Sequence, residues 1–233
     1  MPYDPGVGRP LQPLAERFPR PAVNRGKHWL GIALSWNLDA LARLWGTDKS
    51  STGHAYTAGY AAHLGARRWR VRSVLEIGVG GYLTPDLGGE SMRMWRNYFP
   101  RAHIYGIDLE PKRLDTTERM TILQADQSDP ESLRAALTGC PPFDLVVDDG
   151  SHVGAHVITA FETLFERVAP GGLYAIEDLW ASYEPYYGGG PPGIDGTGVA
   201  LARTLLDDLN LRRRPIAAIH AYEQLLIVQK CAA

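Results

Sequence analysis

With 233 residues, 45% of them hydrophobic and 21% charged, the chain is long enough for one large buried core. Its 24 Lys and Arg against 26 Asp and Glu leave a formal net charge of −2, so it has no electrostatic footprint for nucleic acid. Two cysteines exclude a disulfide framework, the start lacks a signal peptide's basic and apolar regions, and no apolar run approaches a membrane span. A cytoplasmic protein, with neither nucleic-acid nor membrane partners, is expected.

Residues 1–26 are rich in Pro, Gly and Arg and show no sustained period; an arm is expected there, disordered or held by a neighbouring copy in a homo-oligomer. From Trp29 to Trp45 the apolar positions Leu30, Leu34, Leu38, Leu41 and Leu44 fall at helical spacing. The turn Gly46-Thr47-Asp48-Lys49 reads equally well as a capping segment or as a ligand contact, and a second helix is expected over His54–Leu64. The basic runs Arg67–Arg72 and Arg212–Arg214 each precede a predicted strand and read as element boundaries.

Ser73–Ile77 is a short buried strand, followed by the turn Gly78-Val79-Gly80-Gly81-Tyr82 and a helix from Glu90 to Tyr98. Further strands are predicted at His103–Ile107, ending at Asp108, and at Met120–Gln124, ending at Ala125-Asp126-Gln127. A helix over Pro130–Leu137, a strand over Phe143–Asp148 and a helix over Ala155–Val168 follow. Leu173–Glu177 is the fifth strand, after the break Pro170-Gly171-Gly172. Tyr183–Gly198, loaded with Gly, Pro and Tyr, is a long loop and a lid candidate. After a helix over Val199–Leu209, Ile216–His220 and Leu225–Gln229 form an antiparallel pair. Five βα units and a terminal hairpin give an α/β fold: a mostly parallel seven-stranded sheet with helices on both faces.

Two constellations carry chemistry. The first is Glu76-x-Gly78-x-Gly80 with Asp108 and the pair Asp126-Gln127. It lines one half of the sheet rim with groups suited to an adenosine and a charged amino-acid tail. A nicotinamide fold would want G-x-G-x-x-G and a helix N-terminus aimed at pyrophosphate. Here the next helix starts about nine residues after Gly81, so a ligand without phosphates such as S-adenosylmethionine fits better. The second constellation is Asp149, His152, Glu177 and Asp178, acids from two strand ends with an imidazole between them. Oxygen donors of this kind suit Mg²⁺ or another divalent hard cation, and the histidine can collect a proton from a bound alcohol. The plainer alternative keeps Asp148 and Asp149 as helix caps and Glu177 and Asp178 as solvated loop acids. His152 and His156, four apart, make a zinc pair conceivable but without a matching third ligand.

The blocks Leu75-Glu76-Ile77-Gly78-Val79-Gly80-Gly81-Tyr82, Gly88-Gly89-Glu90-Ser91-x-Arg93-Met94-Trp95, Asp148-Asp149-Gly150-Ser151-His152 and Ile176-Glu177-Asp178-Leu179-Trp180 resemble those of macrolide and rhamnosyl sugar O-methyltransferases. Gly46-Thr47-Asp48-Lys49 and His54-x-Tyr56-Thr57 resemble the segment before that family's first strand. The resemblance covers roughly residues 38–230, which it implies are a class I, Rossmann-like methyltransferase domain over 38–233. Residues 1–37, an arm and the start of a helical segment, are too short to match the family's large N-terminal domain.

Carried over by position, the resemblance implies Asp149, Glu177 and Asp178 as metal ligands and His152 as general base. It assigns Glu76, Gly78, Gly80, Tyr82, Asp108, Asp126, Gln127 and Asp148, with Thr47 and Tyr56, to the methyl donor. The implied reaction moves a methyl group from S-adenosylmethionine to a hydroxyl of a deoxysugar on a natural product, with Mg²⁺ or another divalent cation. A cephalosporin-hydroxylase-type enzyme and a non-catalytic S-adenosylmethionine-binding accessory protein are the competing expectations.

Overall fold

A computed structural model of the chain describes residues 20–114, 116 and 118–232. Seven strands form one sheet: β1 (Ser73–Ile77), β2 (His103–Asp108), β3 (Met120–Gln124), β4 (Phe143–Asp148), β5 (Val168–Ile176), β6 (Ile216–Tyr222) and β7 (Leu225–Lys230). Their order is β3-β2-β1-β4-β5-β7-β6, with β7 antiparallel to both neighbours and the other pairings parallel. The order reverses between β1 and β4. Open α/β sheets bind ligands at such a switch point, outside the carboxyl ends of the strands.

Alternation along the strands builds two cores. Val74, Ile104, Leu145, Val147 and Ala175 face one side, packed by α2 (Leu38–Trp45), α3 (Tyr56–Leu64) and α4 (Glu90–Tyr98). Leu75, Ile107, Val146, Tyr174 and Ile176 face the other, packed by α5 (Pro130–Ala136), α6 (Gly154–Leu164) and α7 (Gly198–Asn210). Every residue of α4 from Ser91 to Tyr98 is buried, because α2 and the preceding helix α1 (Arg20–Ala33) cover its outer side. No helix among the described residues is long and apolar enough to cross a membrane.

Several elements differ from the sequence expectation. Arg20–Gly26 open α1 rather than belonging to an irregular arm; the rest of that arm lies outside the described residues. The stretch Trp29–Trp45 is two helices, broken where the Asn37 side chain accepts a hydrogen bond from Ala40 N–H at 3.0 Å and caps α2. The helix expected over Ala155–Val168 ends at Leu164 and passes through a 3₁₀ turn at Phe165–Arg167. β5 starts at Val168, before the Pro170-Gly171-Gly172 break, pairing Val168 with Phe143 across an irregularity. A 3₁₀ turn over Leu179–Tyr183 leads into the long loop, and a second, Pro185–Tyr187, lies near its start.

Candidate active site

Register brings the acids to one rim. Glu76 pairs with Val147, Ile77 with Asp148, and Asp148 with Ile176, so Glu76, Asp148-Asp149 and Glu177-Asp178 end neighbouring strands at nearly one level. The turns after β1 and β4 interlock: Gly78 has φ +89°, and a Cβ there would run into the Asp149 carbonyl. Among the described residues six non-glycine residues have positive φ, and Ala55, Tyr82, His152 and Asp178 are four of them. All four lie in the turns around this rim, where strained backbone is a mark of function.

At its centre is a side chain that sequence reasoning did not single out. Lys49 is fully buried, with its ammonium 2.5 Å from Asp149 Oδ2, 2.5 Å from Glu177 Oε2 and 3.4 Å from Glu76 Oε1. Burial lowers its pKa, but the Asp149, Glu177 and Glu76 carboxylates outweigh this and hold it well above the ordinary value. Tyr60, also buried, donates from its hydroxyl to Glu177 Oε1 at 2.5 Å. Burial raises the Glu177 and Asp149 carboxyls despite the ammonium, and pushes Glu76 up to about 7, although Ser91 Oγ donates to it at 2.9 Å.

Asp178 has its own clamp. Tyr56 donates from its hydroxyl to Oδ1 at 2.7 Å, His54 Nδ1 lies 3.0 Å from the same oxygen, and His152 Nε2 lies 3.5 Å from Oδ2. Burial would raise this carboxyl, but the His54 and Tyr56 hydrogen bonds and the nearby His152 hold it down at about 2. His54, to which the sequence assigned no role of its own, thus lies against one of the predicted metal ligands.

The residues fit a divalent cation. Asp149, His152 and Asp178 each offer one donor atom, and the three atoms all lie within 4.8 Å of one another. Two are carboxylate oxygens, the donors a hard cation prefers. Glu177 stands beside this group with Lys49 and Tyr60 on its two oxygens, and a carboxylate oxygen that accepts one hydrogen bond keeps a second lone pair. His156 turns away, its Nδ1 3.0 Å from Ser151 Oγ.

The residues expected at the methyl donor fall at several places along the rim. Gly78 and Gly80 form the turn beneath the rim, and Tyr82, 90% exposed, stands at its mouth. Asp108 accepts from Val79 N–H and Glu110 N–H, both at 3.0 Å, and so braces the turn. Asp148 and Gln127 form a buried bridge: Gln127 Nε2 donates to Asp148 Oδ1 at 2.7 Å, and Ser151 N–H donates to Gln127 Oε1 at 2.9 Å. Asp126 is turned into a local cap, accepting from the Ser128 N–H at 2.8 Å and its hydroxyl at 2.6 Å. Thr47 Oγ1 lies 3.4 Å from the Lys49 N–H, and Tyr56 serves Asp178 as described. Over His152 an aromatic wall rises: Tyr187 stands edge-to-face to the imidazole at 6.1 Å, and Trp180 and Tyr186 pack edge-on to Tyr187.

The fold is that of the class I methyltransferases, and residues 75–179 match the family model described as a methyltransferase domain. Among proteins of known role the chain is similar to sugar O-methyltransferases, as its motifs indicated. It is 40% identical to the 8-demethyl-8-alpha-L-rhamnosyl tetracenomycin-C 2'-O-methyltransferase of Streptomyces olivaceus, over 96% of this chain and 60% of that one. It is 39% identical to the mycinamicin VI 2''-O-methyltransferase of Micromonospora griseorubida, over 83% of this chain and 52% of that one. The solved structure of the MycE methyltransferase from the mycinamycin biosynthetic pathway, in complex with Mg, SAH and mycinamycin VI, superposes with a TM-score of 0.80 at 41% identity. That match covers 84% of this chain and 55% of the other. The chain thus spans about half to three-fifths of the length of these relatives.

Proposed function

We propose that the chain is the catalytic domain of a divalent-cation-dependent O-methyltransferase, which transfers the methyl of S-adenosylmethionine to a sugar hydroxyl of a glycosylated natural product. The observation that carries this reading is the adjacency, on one rim, of the glycine turn after β1 and the acids Asp149, Glu177 and Asp178, with His152 Nε2 3.5 Å from Asp178. Relatives about 40% identical are named for sugar O-methylation in antibiotic pathways, and one was solved with Mg and SAH.

In this reading Asp149, Glu177 and Asp178 hold the cation, which when bound would make an acceptor hydroxyl more acidic and orient it. His152 Nε2 takes the hydroxyl proton as general base, and the Asp178 carboxylate 3.5 Å away stabilises the imidazolium that results. The oxygen then attacks the sulfonium methyl in line, and S-adenosylhomocysteine leaves. Gly78 and Gly80 let the backbone pass beneath the donor, Glu76, Asp108, Asp126, Gln127 and Asp148 line its side, and Thr47, Tyr56 and Tyr82 stand nearby. Positioning both reactants supplies much of the acceleration. The catalytic domain is assigned to residues 38–233, with α1 packed on it. A homo-oligomer is supported by the apolar residues Trp29, Ile32 and Trp36 exposed on and after α1, and a reducing cytoplasm by two free cysteines.

The test is methyl transfer to a rhamnosylated polyketide. Turnover should vanish in excess chelator and return with Mg²⁺, and His152→Ala should slow the single-turnover step by roughly 10²–10⁴-fold. Full turnover in chelator would remove the cation from the mechanism.

A further inference from the structure

Lys49 has no part in the chemistry just described, yet its ammonium is committed to three carboxylates at the rim. It is sealed from solvent and meets carboxylates from the ends of three strands, β1, β4 and β5. Dehydrating an ammonium is costly, and only partners of this strength offset it. Its turn is pinned as well: Thr57 N–H donates to the Lys49 carbonyl at 3.1 Å, and His54 N–H to the Asp48 carbonyl at 2.7 Å.

We infer that Lys49 is a positioning residue for the cation site, fixing one oxygen of Asp149 and one of Glu177 so that both carboxylates face the cation in a single orientation. The inference rests on the cation reading above. A lysine serving only as counter-charge would act with the opposite sign. Its positive charge would repel a divalent ion, and its removal would tighten cation binding. Geometry favours positioning. Lys49 takes Glu177 Oε2 while Tyr60 takes Oε1, so the carboxylate is held from two directions. Asp149 gives only Oδ2 to the ammonium and keeps a side chain that is 22% exposed, turned partly toward the open rim. Lys49 itself is at 0% exposure, enclosed on the side away from the rim's opening. Without it, Glu76, Asp149 and Glu177 would repel one another around an empty volume and lose their common geometry.

The experiment titrates Mn²⁺ alone, and separately S-adenosylhomocysteine alone, into the purified wild type, Lys49→Met and Lys49→Arg. Lys49→Met should weaken Mn²⁺ binding by about 10–100-fold, as loss of a residue that orients metal ligands does, while S-adenosylhomocysteine binding persists. Lys49→Arg, which keeps the charge but not the shape and is the variant to read if Lys49→Met does not fold, should also bind Mn²⁺ more weakly. Tighter or unchanged Mn²⁺ binding in Lys49→Met, or wild-type Mn²⁺ affinity in Lys49→Arg, overturns the inference. Equal loss of both ligands does so too, since Lys49 would then only hold the fold. A wild type that binds no Mn²⁺ overturns the cation reading itself, and the inference with it.

Discussion

Asp148 ends β4 directly before Asp149 and is buried, with Gln127 donating to Oδ1 at 2.7 Å and Tyr174 to Oδ2 at 3.5 Å. Burial pushes its carboxyl up to about 7, against those hydrogen bonds. The unfolded chain releases the same proton near ~3.9. Between the two values the folded state binds more protons than the unfolded one, so this group's contribution to stability is lost as pH rises through about 7. Asp148→Asn mimics the protonated form. In ligand-free protein its thermal midpoint should fall less than that of the wild type between about pH 6 and about pH 8. Equal falls would mean that Asp148 is ionised throughout. The acids and His152 were legible because each follows an apolar strand run, and strand ends are where such groups reach a rim. Lys49 and Tyr60 were not. Lys49 meets Asp149 across 100 positions and Glu177 across 128, Tyr60 meets Glu177 across 117, and no local pattern marks such a contact.

Strands and helices followed hydrophobic periodicity closely, since each buries one or two faces against the same sheet. The failures sit where spacing continues through a break. Leu30, Leu34, Leu38 and Leu41 keep helical spacing across the junction of α1 and α2, and only the Asn37 cap, an ordinary N-cap residue, marks the interruption. The start of β5 was hidden by the reverse effect, because Pro170-Gly171-Gly172 reads as an end although the strand passes through it with an irregular register. The interlock of the β1 and β4 turns gives an element-scale test. Gly78→Ala places a Cβ against the Asp149 carbonyl and the Gly150 Cα at a φ of +89°, so both turns must shift. Donor and cation affinities should therefore fall together when S-adenosylhomocysteine and Mn²⁺ are titrated separately. Loss of donor affinity alone would show that the β4 turn does not follow the β1 turn.

Across the whole molecule, the switch point between β1 and β4 sets the glycine turn after β1 beside the acids that follow β4 and β5, and the segment after β5 stands over His152. That segment is rooted at two places. Gly190 N–H donates to the Ser182 carbonyl at 3.1 Å and Val199 N–H to Ser182 Oγ at 3.1 Å, while Gly154 packs so closely on the Gly196 carbonyl that no side chain would fit between them. Between the roots, Tyr186 is 88% exposed and Tyr187 faces His152, with Tyr82 exposed on the donor turn. Aromatic rings placed this way offer flat apolar surface to the C–H face of a pyranose. They can also exclude water from the acceptor oxygen without touching the donor. A small planar catechol needs no such cover. Replacing residues 185–194 with a short Gly-Ser link should therefore raise the KM of a rhamnosylated acceptor far more than that of S-adenosylmethionine, with Mn²⁺ affinity retained because the cation's donors lie outside the segment. Equal increases in both KM values, or efficient methylation of catechols with none of glycosides, would overturn the sugar reading.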